Sequence, residues 1–198
     1  MPSTMIHILT AHEIFPDKGG LFWFGNFAPD HVNEREPKDK IHLRTSTDRL
    51  NDLKKLKNSL PDGEFEQGWI LHLFADCCWD EEMIPPYRNE HENDTDRNWF
   101  LKYREEIGVA SFNLFHNLPW SKQVWEQIMS ADLRDFAPRL PITSEEAESF
   151  RSHVFGRHSA SPANSVSLAY PPGLVHRFAK ETARKYLKWA NNTNLQLN

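Results

Sequence analysis

The chain has 198 residues, 39% of them hydrophobic, and a formal net charge of −5. That length, with 7 Trp and 13 Phe, is enough for one domain with a real core. The acidic balance and the lack of a long basic run exclude phosphate-backbone binding as the main activity, so no nucleic-acid partner is expected. No apolar run approaches the length of a membrane span, so integral membrane association is not expected either. The adjacent Cys77 and Cys78 are poor disulfide partners and lack zinc spacing. With no signal-peptide pattern at the amino terminus, they point to a reducing, cytoplasmic setting.

Helical periodicity dominates along the chain. Thr4 is placed to cap a first helix carrying Ile6, Leu9 and Ile14 and ending near Pro16. Gly19-Gly20 breaks the chain, and the segment LFWFGNFA is helix or strand by period alone. Pro29 ends it, and DHVNEREPKDK reads as a polar loop. A helix from about Asp48 to Leu60 carries Leu50, Leu53 and Leu56. Asp62 is placed to cap the next, which runs to about Met83, where Pro85-Pro86 stops it; RNEHENDTD is then a solvated loop. A long helix follows from roughly Asp96 to Leu118, and Pro119 opens another with Val124, Trp125 and Ile128. Thr143 to Glu146 has the capping-box form. Pro172 starts the last helix, which ends near Ala190. The expected fold class is an all-α, multi-helix bundle, a single domain over 1–190 with a polar tail at 191–198.

Within the third helix the run GWILHLFAD holds two strongly polar residues, His72 and Asp76, four apart. That spacing puts them one turn above each other, on a stripe with Phe65, Trp69 and Trp79 that faces inward. A buried carboxylate must be paired, protonated or bound to a cation. One reading is a His–Asp hydrogen bond satisfied inside the bundle. The other is two ligands of one cation, since imidazole and carboxylate suit zinc. Further ligands are in reach in the sequence: Asp30 after Pro29, His42 between Ile41 and Leu43, and His7 between Ile6 and Ile8. Each has a plainer reading, Asp30 as a turn cap and the histidines as partly buried surface residues.

The order His, then Gly-x-x-x-Pro-Asp, then His, then Gly-x-x-x-His-x-x-x-Asp resembles the zinc-dependent phospholipase C-like superfamily, especially its small bacterial members. The matching pieces are MIHILTA, FGNFAPD, KIHLR and GWILHLFADCCWD, within roughly the first 80 residues. The resemblance implies an all-α fold with metal cradled between helices. It implies that Asp30, His42, His72 and Asp76 hold one zinc, that His7 serves a second metal sharing Asp76, and that Asp30 is a candidate general base. There are departures. The family's Pro-x-His after the motif aspartate is replaced here by DCCWDEEMIPPYR, and the later His-x-x-x-Glu is absent, since Lys180 follows His176 at that spacing. A processed N-terminal tryptophan has no counterpart in a chain that starts Met1-Pro2. A third metal and choline-lipid specificity are therefore not carried over.

Lys40 and Arg44 flank His42 and would suit an anionic substrate near a metal; ordinary surface charge is the plainer reading. His116, beside Phe112 and Phe115, is either a ligand or proton donor for the same site or a core histidine at a helix end. The expected function is a zinc-dependent hydrolase acting on a small anionic phosphoester through activated water, with one ion and room for a second. Its rival is a non-catalytic helical protein with a structural metal or a buried His–Asp network. An HD-domain phosphohydrolase is disfavoured because no His-Asp dipeptide occurs.

Overall fold

A computed structural model describes residues 2–95, 98–133 and 142–194. The chain forms α1 (Thr4–His12), α2 (Gly20–Gly25), a 3₁₀ turn (Ala28–His31), α3 (Arg35–Ile41), α4 (Arg49–Ser59), α5 (Glu64–Glu82), α6 (Ile84–His91), α7 (Trp99–Asn117), α8 (Ser121–Ser130), α9 (Ser144–Ser159) and α10 (Pro172–Asn194). No strand occurs among the described residues, so the all-α class stands. No helix among them is long and apolar enough to cross a membrane.

Several helix ends are where the sequence put them. Asp48 caps α4, its carboxylate accepting from Asn51 N at 3.1 Å. Thr143 and Glu146 close a capping box at α9. The differences concern mainly prolines. DHVNEREPKDK is not all loop but holds most of α3, and Pro85-Pro86 do not end a helix but lie in the first turn of α6. The first N–H groups of a helix have no intrahelical partner, so Pro37 and Pro85-Pro86 sacrifice no hydrogen bond there. Residues Arg88 to His91, expected in a loop, are therefore helical. Ser3 rather than Thr4 is the N-cap of α1, and Gly63 rather than Asp62 precedes α5; Asp62 accepts instead from Gln67 Nε2 at 2.8 Å. LFWFG is helix, not strand. Asn98 caps α7, and the expected start at Asp96 lies outside the described residues. Helix α10 runs past Ala190 to Asn194, and the rest of the expected tail, 195–198, lies outside them too.

Helix α5 is the axis of the molecule. It is buried from Gly68 through Trp79 and packs against α1, α2, α4, α6 and α10. Its crossing with α2 is backbone to backbone. A Cβ on Gly25 would lie 2.1 Å from the Phe65 carbonyl oxygen, and one on Gly68 would lie 2.1 Å from that of Phe22. Only glycine fits at either point. Asn26, just after α2, fastens the crossing by donating from Nδ2 to Gly68 O at 3.2 Å. This contact fixes where the next residues, Phe27 to Asp30, reach α5.

Candidate metal centre

Four separate segments bring side chains to one point. Helix α5 presents His72 and Asp76 one turn apart on its buried face. The 3₁₀ turn, closed by Asp30 N donating to Phe27 O at 3.1 Å, presents Asp30. Helix α1 presents His7. Helix α3 ends at His42 in a Schellman motif, with Leu43 N donating to Lys40 O at 3.1 Å and Arg44 N to Asp39 O at 2.8 Å. The motif needs a left-handed residue just past the cap, usually glycine; here it is Leu43, at φ 55°. That turn sends His42 inward and folds Arg44 back onto α5.

The hydrogen bonds assign the histidine tautomers. His42 Nδ1 lies 2.8 Å from Lys38 O, and His72 Nδ1 lies 3.0 Å from Asn26 O. A carbonyl oxygen can only accept, so both Nδ1 atoms carry the proton, and Nε2 is the atom through which each ring can offer a lone pair. Those two Nε2 atoms are 3.1 Å apart. His42 Nε2 is also 3.5 Å from Asp30 Oδ1 and 3.5 Å from Asp76 Oδ2. His72 Nε2 is 3.9 Å from Asp76 Oδ2. On the other side His7 Nε2 is 3.5 Å from Asp76 Oδ1, and its ring stacks on His72 with centroids 3.9 Å apart.

Four acceptors thus converge, and His7, His42, His72 and Asp76 are all buried. Both His7 nitrogens and Asp76 Oδ1 are buried without a hydrogen-bond partner, and Asp30 Oδ1 has the Lys38 ammonium at 3.1 Å. Such an array is strongly unfavourable unless positive charge is shared among its members. One extra proton on His42 would satisfy one pair, whereas a divalent cation could be held by His42, His72 and Asp76 together, or by His7, Asp30 and His72. A tetrahedral ion with bonds of about 2.0–2.1 Å has ligand-to-ligand edges of about 3.3 Å. The separations of 3.1, 3.5 and 3.5 Å around His42 Nε2 fit that size. Buried His and Asp groupings that can hold a metal are therefore a property of this fold.

The electrostatics suit the same role. Burial and the neighbouring His7 push the His72 imidazole down to about 3, so it is neutral at ordinary pH, the form that ligates. Burial acts to raise the Asp76 carboxyl, but His7 beside its Oδ1 and the neighbouring His72 and His42 outweigh it and hold Asp76 below the usual carboxylate range. Asp30 is held low in the same way, against its burial, by His42 and Lys38.

Of the other residues singled out from the sequence, Lys40 is exposed and makes none of these contacts. Lys38 takes the position instead, with Nζ 3.1 Å from Asp30 Oδ1. Residues two apart on a helix point to nearly opposite sides, so only one of the two lysines can face the centre. Arg44 does reach the cluster, but as a fixed ion-pair partner: Nη2 is 3.3 Å from Asp76 Oδ2 and Nε is 2.9 Å from Asp80 Oδ2. His116 is not part of the cluster; its Nε2 lies 2.8 Å from Ser161 O and its ring packs on Phe115. Sequence reading missed Lys38, Asn26, Arg49 and Asp80. Asp80 carried a signal, standing one turn beyond Asp76 in ADCCWD; the Asn26 contact is made by a backbone carbonyl, which no residue type announces.

Compared with known proteins, the chain matches no family model, no curated protein and no solved structure. The reading of this centre therefore rests on its own chemistry.

Proposed function

We propose that this chain is a metal-dependent hydrolase of phosphoesters, on an all-α scaffold of the zinc-dependent phospholipase C-like kind. The observation that carries the proposal is the pair of Nε2 lone pairs on His42 and His72, 3.1 Å apart and flanked by buried carboxylates. Asp30, His42, His72 and Asp76 would hold one ion, and their nitrogen and oxygen donors favour zinc. His7 and the unpartnered Asp76 Oδ1 support a second, weaker ion that would share Asp76. When bound, the ion supplies Lewis acidity and brings water ionisation toward neutral pH.

The chain's own residues set the direction of approach. Asp30 has a side-chain exposure of 16%, whereas His42 and Asp76 have none, so solvent and substrate reach the centre past Asp30. Lys38, 17% exposed, puts an ammonium at that mouth and suits an anionic phosphate. Asp30, kept ionised by its surroundings, orients water there and accepts its proton.

A second reading, a structural ion without catalysis, is favoured by the burial of the other ligands, because a closed site with four protein ligands is the structural pattern. A panel of chromogenic phosphate and carboxylate esters separates the two, run on zinc-loaded, chelated, Asp30→Asn and Lys38→Ala protein. The catalytic reading expects metal-dependent turnover on phosphate esters. Asp30→Asn should lower it by about 10²-fold or more while keeping its helicity, Lys38→Ala should raise KM, and Lys40→Ala should change neither. Turnover that is absent, or indifferent to metal and to Asp30, supports the structural ion.

A further inference from the structure

Beyond the ligands lies a second layer of charge, organised by one residue that touches none of the ligand atoms in the contacts above. Asp80 stands one turn after Asp76 on α5. Its carboxylate receives two guanidinium groups. Arg44 binds it with Nε at 2.9 Å from Oδ2 and Nη2 at 3.3 Å from Oδ1, a two-point grip. Arg49 binds it with Nη1 at 3.0 Å from Oδ2. Each arginine then reaches one side of the centre. Arg44 Nη2 also lies 3.3 Å from Asp76 Oδ2, and Arg49 Nη2 donates to the His42 carbonyl at 3.0 Å.

We propose that Asp80 is the positioning residue of the metal centre, setting both the place and the charge of its ligands through Arg44 and Arg49. This rests on the reading that the cluster binds a divalent ion. The geometric part follows from the contacts: α5 carries His72 and Asp76, the end of α3 carries His42, and the Arg49–Asp80 link ties one to the other. The electrostatic part follows from charge balance. With Asp80 in place, the two guanidiniums beside the centre are offset by Asp80 and Asp76. Without it, an excess positive charge sits beside Asp76, and Arg44, left with Asp39 at 3.7 Å and Asp76 at 3.3 Å, can close on the oxygen that a cation would use. A guanidinium does not lose its proton in a protein, so Arg44 cannot relieve that excess.

Removing an outer-layer partner of this kind costs about 10- to 100-fold in metal affinity. The test is zinc affinity by competition with a chromophoric chelator, together with the visible spectrum of the cobalt-substituted protein. Both are read on the parent, Asp80→Asn, Arg44→Gln and the double variant. Asp80→Asn should bind zinc about tenfold or more weakly and show a shifted cobalt spectrum. The double variant should recover part of the lost affinity, because Arg44→Gln removes the uncompensated charge. A residue that only stabilised the fold would instead lower the unfolding midpoint and leave zinc affinity and the cobalt spectrum unchanged. Zinc affinity in Asp80→Asn within twofold of the parent, or additive losses in the double variant, overturns the inference and leaves the metal reading intact. A parent protein that binds neither zinc nor cobalt overturns both. If circular dichroism finds Asp80→Asn unfolded, Arg49→Lys replaces it. That variant keeps the charge but cannot span Asp80 and His42 O at once, and it should lose affinity severalfold; unchanged affinity there overturns the inference.

Discussion

Two buried polar knots stand in this molecule, and they differ in how their hydrogen bonds close. In the knot between α1, α7 and α9, His158 Nδ1 donates to Val154 O at 2.8 Å, and Ser111 Oγ donates to His158 Nε2 at 2.9 Å. The same Ser111 oxygen accepts from Met5 N at 3.1 Å, so every polar atom named has a partner. In the knot around α5, His42 and His72 also spend Nδ1 on a backbone carbonyl, but their Nε2 atoms face each other and two carboxylates; Arg44 and Lys38 reach the carboxylates from outside, and no donor is directed at the Nε2 pair. Burial lowers the imidazole pKa in both places, to about 4 for His158 and about 3 for His72. A depressed histidine is therefore no mark of a site here. The mark is an incomplete hydrogen-bond account at the Nε2 pair, His7 and Asp76 Oδ1, because a folded chain rarely leaves several buried polar atoms without a partner.

The largest expected effect separates the two knots by metal. Asp76→Ala should abolish zinc binding and lower the stability of zinc-loaded protein by about 3 kcal/mol or more, since three ligands are left around a site that no longer closes. Ser111→Ala strands His158 Nε2 and Met5 N, at a cost of about 1–3 kcal/mol, and should leave zinc affinity unchanged. Isothermal titration with zinc and urea unfolding read both quantities. Equal zinc binding in Asp76→Ala and the parent would remove the distinction between the knots.

Acid should act on both knots alike in chelated protein. His72 and His158 are neutral when folded, at about 3 and about 4, against an ordinary value of 6.5. Below that ordinary value the unfolded chain takes up protons that the folded chain refuses. Stability from these groups is therefore fully present above it and is lost as pH falls, down to about 3 for His72 and about 4 for His158. Each should contribute a slope of about 1 kcal/mol per pH unit between about pH 6 and pH 5. His72→Gln and His158→Gln should each flatten the curve by one such share. A slope indifferent to both substitutions would contradict neutral burial.

The smallest effect tests the turn that builds one knot only. Leu43 holds φ 55°, and a β-branched residue is still less at ease there. Leu43→Val should cost about 1–2 kcal/mol and weaken zinc severalfold by displacing His42 and Arg44, while the His158 knot keeps its hydrogen-exchange protection. Unchanged zinc affinity would mean that the turn does not set the His42 position.

Local chemistry carried much of this molecule openly. The spacing of apolar residues marked most of the helices, the Thr143 capping box marked the start of α9, and the His72–Asp76 spacing put two polar groups on a buried stripe. Those signals are legible because they depend on neighbours within a turn or two. The prolines misled, since whether a proline stops a helix or starts one depends on which turn it occupies, and the residue type is the same. Lys38 replaced Lys40 for a related reason: which side of α3 faces inward is set by packing and not by composition.

The convergence itself lay beyond any local signal. Asn26 O, Lys38 O and His42 O are backbone atoms that every residue possesses, and the fold selects them by bringing α2 against α5 at Gly25 and Gly68. Arg44 read as a free cation because the two carboxylates it hydrogen-bonds through its side chain, Asp76 and Asp80, lie more than thirty positions away. A pattern of residue types can say which groups are able to hold a cation. Whether their lone pairs point at one place depends on distances between segments remote in sequence, and packing alone sets those.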